Sequence, residues 1–71
     1  MEESIYNIIE IVGTSKNSWE EAARNAVETA GKSLTDLRVA EVVKLDMVMD
    51  QNKVTAFRAR LNISFKYHPK K

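Results

Sequence analysis

From Val54 to Tyr67 the chain reads VTAFRARLNISFKY, and this alternation constrains the fold more than any other stretch. On an extended strand Phe57, Ala59, Leu61, Ile63, Phe65 and Tyr67 share one face, while Arg58, Arg60, Asn62, Ser64 and Lys66 share the other. Ahead of it, Leu37 to Met49 reads LRVAEVVKLDMVM, a second β-branched run, and the polar Asp50-Gln51-Asn52-Lys53 lies between them. The two runs predict a hairpin whose strands far exceed the usual length of about 5–6 residues. A hairpin of that length needs a large apolar cover, and the remainder of a 71-residue chain offers little.

What remains is one strand and one helix. Ile5 to Val12 is rich in isoleucine, with Ile5, Ile9 and Ile11 on one side and Tyr6, Ile8 and Val12 on the other, so both faces of this strand are expected to be partly covered. Gly13 is expected to end it. Ser18-Trp19-Glu20-Glu21 fits a capping box, with Ser18 as the N-cap and Glu21 three residues on. Trp19, Ala22, Ala23, Ala26, Val27 and Ala30 then recur at helical spacing in one apolar stripe. The stripe is mostly alanine, so the helix sits close to its sheet but buries little area. Glu20 with Arg24 and Glu28 with Lys32 are expected as i,i+4 pairs on the wet face. Gly31 marks the last turn, with Leu34 folding back toward the core.

The predicted fold is α+β in the order β-α-β-β. One helix is partly wrapped by a three-stranded antiparallel sheet in which the first strand pairs with the last (order 1-3-2). The strands are expected at about 4–13, 37–49 and 53–67, and the helix at about 18–33, within a single domain spanning 1–71. Register follows from parity, because residues opposite each other share a face. A three-residue loop, Gln51-Asn52-Lys53, sets Met47 opposite Phe57 and Asp46 opposite Arg58. Glu41 falls on the apolar side of its strand, which predicts a bulge between Val42 and Leu45 that turns Val39 and Glu41 outward and Ala40 and Val42 inward.

Composition excludes several classes. There is no cysteine, so disulfides, thiol nucleophiles and cysteine-based zinc sites are ruled out. The single His68 lies in a basic tail with Lys66, Lys70 and Lys71. A nucleophile–base pair would need a poised His or Cys, so the chain reads as non-enzymatic. The net charge of +1, with both signs interspersed, lacks the concentrated basic face that nucleic acid requires. No apolar run approaches the roughly 20 residues of a membrane span, and Glu2 and Glu3 oppose a signal-peptide start, so a cytoplasmic protein is expected. A core this thin is marginal alone. A homo-oligomer is the expected source of further stability.

Several stretches together carry a family likeness: Glu10-Ile11-Val12-Gly13-Thr14-Ser15, the alanine-rich helix with Arg24-Asn25, Ala40-Glu41-Val42 and the closing Ser64-Phe65. In this order they resemble the dodecins, small flavin-binding proteins that form hollow dodecamers. The likeness covers essentially the whole chain and implies a homododecameric shell for small-ligand or ion binding and storage. Flavin-binding dodecins place a Trp that stacks on the flavin ring where this chain has Val39. Many have Gln where it has Arg58, and Arg followed by Gly where it has Asp46-Met47. Val39, Asp46 and Arg58 thus mark the family's flavin pocket in substituted form. Val39 offers no aromatic face for stacking, so ordinary flavin binding is not expected.

Ser18-Trp19-Glu20, Arg38-Val39-Ala40, Asp46-Met47 and Ser64-Phe65-Lys66 are similar to a branch described as calcium dodecins, which makes calcium the leading ligand candidate. Glu41, Asp46 and Asp50 are the carboxylates to test. Calcium takes six to eight oxygens and no EF-hand spacing is present, so several subunits or backbone carbonyls would have to contribute. Asp46 and Arg58 are expected to form a salt bridge in the former ligand site. Trp19 reads either as a stacking platform or as an anchor at the helix–sheet edge. Met47 and Met49 read as pocket lining or interface packing. Arg58, Arg60 and Lys66 read as a phosphate-binding trio or as partners for a neighbouring subunit's acids. The alternatives to a binding shell are a scaffold with no specific ligand, whose basic tails recruit a partner, and a flavin binder with an altered pocket.

Overall fold

The computed structural model describes residues 5–67. The element order is β1 (Tyr6–Ser15), α1 (Trp19–Ala30), β2 (Leu37–Asp50) and β3 (Lys53–Lys66), and the sheet order is β1-β3-β2 with both pairings antiparallel. The expected topology is therefore the one observed. His68, Pro69, Lys70 and Lys71 of the basic tail lie outside the described residues, as does the start expected for the first strand at residue 4.

The strand with the clearest alternation is the central one. Ala59, Leu61 and Ile63 of β3 are buried, and Ala22 and Ala26 of α1 press on them from one side. Ile9 and Ile11 of β1, Ala23, Val27 and Ala30 of α1, and Leu37 of β2 close the rim of this core. Leu37, rather than the expected Leu34, packs against it from the segment after the helix. The β1–β3 register sets Ile9, Ile11 and Gly13 opposite Ile63, Leu61 and Ala59, all on the helix side.

Gly13 does not end β1, which runs on through Ser15. A Cβ built on Gly13 would stand 2.1 Å from the Ala22 carbonyl oxygen and 2.7 Å from the Ala26 Cβ. The helix backbone occupies the place of a side chain, so this glycine marks a close approach rather than a strand end.

The helix begins where expected. Ser18 is the N-cap and its hydroxyl accepts from the Glu21 backbone N–H at 3.0 Å. The return half of the capping box is redirected. The Glu21 carboxylate accepts from the Ser15 hydroxyl and from Asn17 Nδ2 at 2.7 Å, while Ser15 Oγ accepts from the backbone N–H of Asn17 at 2.9 Å and of Ser18 at 3.4 Å. The buried Ser15 thus ties the end of β1 to the first turn of α1. The helix stops at Ala30, capped by Gly31, three residues short of the expected end, so Lys32 lies past the helical spacing to Glu28. Neither Glu28–Lys32 nor Glu20–Arg24 closes as an ion pair among the described residues.

The hairpin turn is shorter than parity implied. Asp50 pairs with Lys53, leaving a two-residue turn in which Gln51 (φ 50°) and Asn52 (φ 65°) are both left-handed, the conformation that fits the twist of the flanking strands. Parity is recovered one step further in. Val48 faces Ala56 and Met49 faces Val54, so Thr55 is an extra residue, and its hydroxyl donates to the Val48 carbonyl at 3.2 Å. Beyond this bulge Met47 faces Phe57 and Asp46 faces Arg58, as expected. A second register shift, between Val42 and Lys44, falls inside the predicted interval and directs Val39 and Glu41 to the face away from the helix. A third, between Leu37 and Val39, was not anticipated.

The helix covers only one end of the hairpin. The molecule measures 53 × 21 × 15 Å, and Leu45, Met47, Met49 and Val54 on the overhang are 45–59% exposed.

Candidate functional site

The site is built on the outer face of the sheet, opposite α1. The paired strands set the residues of this face in rows running across β1, β3 and β2. Thr14, Arg58 and Asp46 form the first row, and Val12, Arg60 and Lys44 the second. Glu10, Asn62 and Glu41 form the third, and Ile8, Ser64 and Val39 the fourth. Rows lie about 6.6 Å apart and strands about 4.8 Å apart.

Asp46 and Arg58 close as a fork. Arg58 Nε donates to Asp46 Oδ1 and Nη2 donates to Oδ2, each at 2.7 Å, the bidentate geometry that the planar guanidinium favours. Arg58 is thereby paired within its own chain, not reserved for a neighbour's acid. These hydrogen bonds hold the Asp46 carboxyl below its ordinary value of 3.8, with the nearby charges of Arg58, Arg60 and Lys44 adding to the effect, and they raise the Arg58 guanidinium. A carboxyl whose value is depressed in the folded state adds stability above its ordinary value and loses it as pH falls through the depressed one. Asp46→Asn is therefore expected to lower the urea midpoint of the parent between about pH 5 and 8, with the difference shrinking below about pH 4. Unfolding curves at pH 7 and pH 3 check this, and a difference that is the same at both would refute it. The Glu21 carboxyl is likewise lowered, first by the Ser15 hydroxyl and then by Asn17.

The backbone of Asp46 is held as well. Trp19 Nε1 donates to the Asp46 carbonyl at 2.9 Å, and the Trp19 ring meets Phe57 edge-on, with centroids 5.1 Å apart and planes at 69°. Of its two readings, Trp19 follows the anchor: it pins the root of the overhang to the first turn of α1.

The other predicted residues are not brought together. Val39, 60% exposed, lies opposite Ser64, six residues along β3 from Arg58, so it stands about 20 Å from the fork. Glu41 faces Asn62, Asp46 faces Arg58, and Asp50 faces Lys53 at the turn. Successive members of this carboxylate set are roughly 13 Å apart or more along the strand. Among the described residues no three His, Cys, Asp or Glu side chains gather as a metal site, and both Asp46 oxygens are taken by Arg58. One chain alone therefore does not fit a calcium ion on Glu41, Asp46 and Asp50. The row Glu10–Asn62–Glu41, which places two carboxylates either side of an amide, was missed, because it depends on the β1–β3 register as well as the hairpin's. An open groove of about 530 Å³ between β1 and α1, lined by Ile11, Thr14, Asn25 and Thr29 among others, contains none of the predicted site residues. Asn25 Nδ2 donates across that groove to the Thr14 carbonyl at 3.2 Å. No helix among the described residues is long and apolar enough to cross a membrane.

A β-α-β-β chain with this sheet order has the dodecin fold, and the dodecin family model matches residues 5–68, so the chain belongs to the dodecin family. It is 46% identical over 66 residues to the calcium dodecin of Mycobacterium tuberculosis, covering 93% of each chain. The crystal structure of that protein, described as a calcium-chelating antigen with a novel calcium-binding site, has a TM-score of 0.83 at 44% identity, covering 96% of this chain and 97% of that one. Dodecin from Streptomyces coelicolor has a TM-score of 0.91 at 28% identity, covering 99% of this chain and 100% of that one.

Proposed function

We propose that the chain is one subunit of a closed, non-enzymatic homo-oligomeric shell, a dodecamer on the family resemblance, that binds a small ligand or ion in the cytoplasm, with calcium favoured over flavin. The observation that carries this reading is the Asp46–Arg58 fork. Asp46 and Arg58, which the family resemblance aligns with the polar edge of the flavin site, are paired with each other, and Val39, aligned with the stacking Trp but about 20 Å away in the same chain, supplies no aromatic face. The identity of 46% to a calcium dodecin supports calcium. Because the carboxylates of one chain stand too far apart, the reading places the ion between subunits, with Glu41 as the leading donor and Asp46 and Asp50 as further candidates.

Calorimetric titration of EDTA-stripped protein with calcium tests this. Binding heat in the parent that disappears in Glu41→Gln is the expected result, with Asp46→Asn and Asp50→Asn run beside it. No heat in the parent ends the calcium reading, and a purified protein with the visible absorption of a flavin restores the flavin one. The second reading, a scaffold without a specific ligand, draws on the exposed overhang, which asks for neighbours whether or not a ligand is present. An assembled, colourless protein with no calcium response favours it.

A further inference from the structure

The apolar overhang carries a chemistry that the ligand reading does not use. Leu45, Met47 and Met49 alternate along β2 and so share one face, with Val54 opposite Met49. Met47 stands opposite Phe57, whose ring meets Trp19 at the root of the overhang. Both methionines are open to water, Met47 at 45% and Met49 at 59% exposure. They are the two methionines among the described residues, and both fall on this one patch. The chain has no cysteine, so its thioethers are the groups that a mild oxidant changes reversibly.

We infer that Met47 and Met49 form a redox-sensitive latch on assembly, with hydrogen peroxide as the reactant. The latch rests on the reading of the chain as a homo-oligomer and names a way in which that assembly is controlled. At each sulfur a lone pair attacks one peroxide oxygen. An S–O bond forms, the O–O bond breaks, and the proton on the transferred oxygen passes to the departing hydroxide, which leaves as water. The thioether loses two electrons and the peroxide gains them. The product exchanges an apolar side chain for a polar sulfoxide that accepts hydrogen bonds. In the lone chain that oxygen faces water, and the fold tolerates it. In the proposed oligomer it enters an apolar contact, and the side chains that register sets nearest to it, Leu45, Val54 and Phe57, offer no donor. A buried acceptor without a partner shifts an equilibrium by a factor of about 5 to 150. Coupling is reciprocal, so assembly slows the oxidation as much as oxidation weakens the assembly. The modification therefore falls on chains that are apart and keeps them apart until the sulfoxides are reduced.

The test uses the full-length parent and Met47→Leu/Met49→Leu, a volume-conserving change that leaves the patch apolar. Both are treated with hydrogen peroxide across a dilution series. Peptide mapping by mass spectrometry locates the added oxygens and separates them from any on Met1. Native mass spectrometry and light scattering read the assembly, and far-UV circular dichroism reads the fold. The parent oxidised at both positions is expected to stay folded while its dissociation constant rises at least about tenfold. Methionine sulfoxide reductases of both epimer specificities are expected to restore the assembled mass. The double variant is expected to keep its mass in peroxide throughout. Should it fail to assemble untreated, restoration of the parent by the reductases decides. A parent that takes up no oxygen at Met47 and Met49 even when diluted, one that keeps its mass with both oxidised, one that the reductases do not restore, or an assembled double variant that comes apart in peroxide would each overturn the latch while leaving the oligomer in place. A parent that is monomeric before peroxide would remove the homo-oligomer reading and the latch with it.

Discussion

Gly13→Ala is expected to destabilise the fold severely, with a loss of at least about 3 kcal/mol, the upper end of what an overpacked core costs. The added Cβ would lie 2.1 Å from the Ala22 carbonyl oxygen and 2.7 Å from the Ala26 Cβ. The first obstacle is helix backbone and the second is a side chain with no rotamer to change, so neither can step aside. The helix must lift, and lifting it uncovers Leu61 and Ile63, the largest fully buried side chains. A domain of this size holds only about 4–11 kcal/mol in total. Far-UV circular dichroism with a urea titration reads the effect. A variant whose midpoint stays close to the parent's would show that the helix can rise without losing its contact.

Leu61→Ala is expected to cost about 4 kcal/mol, in the upper half of the range for leucine truncation. Leu61 is 1% exposed on the central strand and packs beneath a helix whose contacts are Ala22 and Ala26. Cavity costs fall when neighbours collapse inward. Here they cannot, because the covering residues are already alanines and Gly13 has already brought the helix to backbone contact. For a chain this small that loss corresponds to roughly 15–30 °C in melting temperature. Thermal melts of parent and variant at equal concentration measure it, and a drop below about 5 °C would mean that the core is held mainly by contacts outside the chain.

The central strand was legible because its alternation is unbroken, and from it followed the sheet order, the outward turn of Val39 and Glu41, and the Asp46–Arg58 pairing. The turn was misjudged because parity fixes only the total of loop and bulge residues. A three-residue loop and a two-residue turn with Thr55 bulged place Asp46 opposite Arg58 equally well. Gly13 was misread for a different reason. A glycine that ends a strand and one that admits a helix backbone look alike until the helix is placed, and that placement depends on Ala22 and Ala26. The fork needed one register to predict, whereas the Glu10–Asn62–Glu41 row needed two. The ligand is the least legible part, since Val39 and the fork are separate in one chain and the carboxylates do not converge.

If the chain assembles as proposed, the hairpin's overhang ties thermodynamic stability to mass action. Leu45, Met47, Met49 and Val54 stay wet in the lone chain, and in the proposed homo-oligomer the apolar burial that a domain of this length needs is completed when copies meet. Folding free energy then carries a concentration term, and dilution works as a denaturant. Trp19, clamped between Phe57 and the Asp46 carbonyl, sits at the root of the overhang, where the lone chain's core gives way to the surface that the proposed assembly would cover.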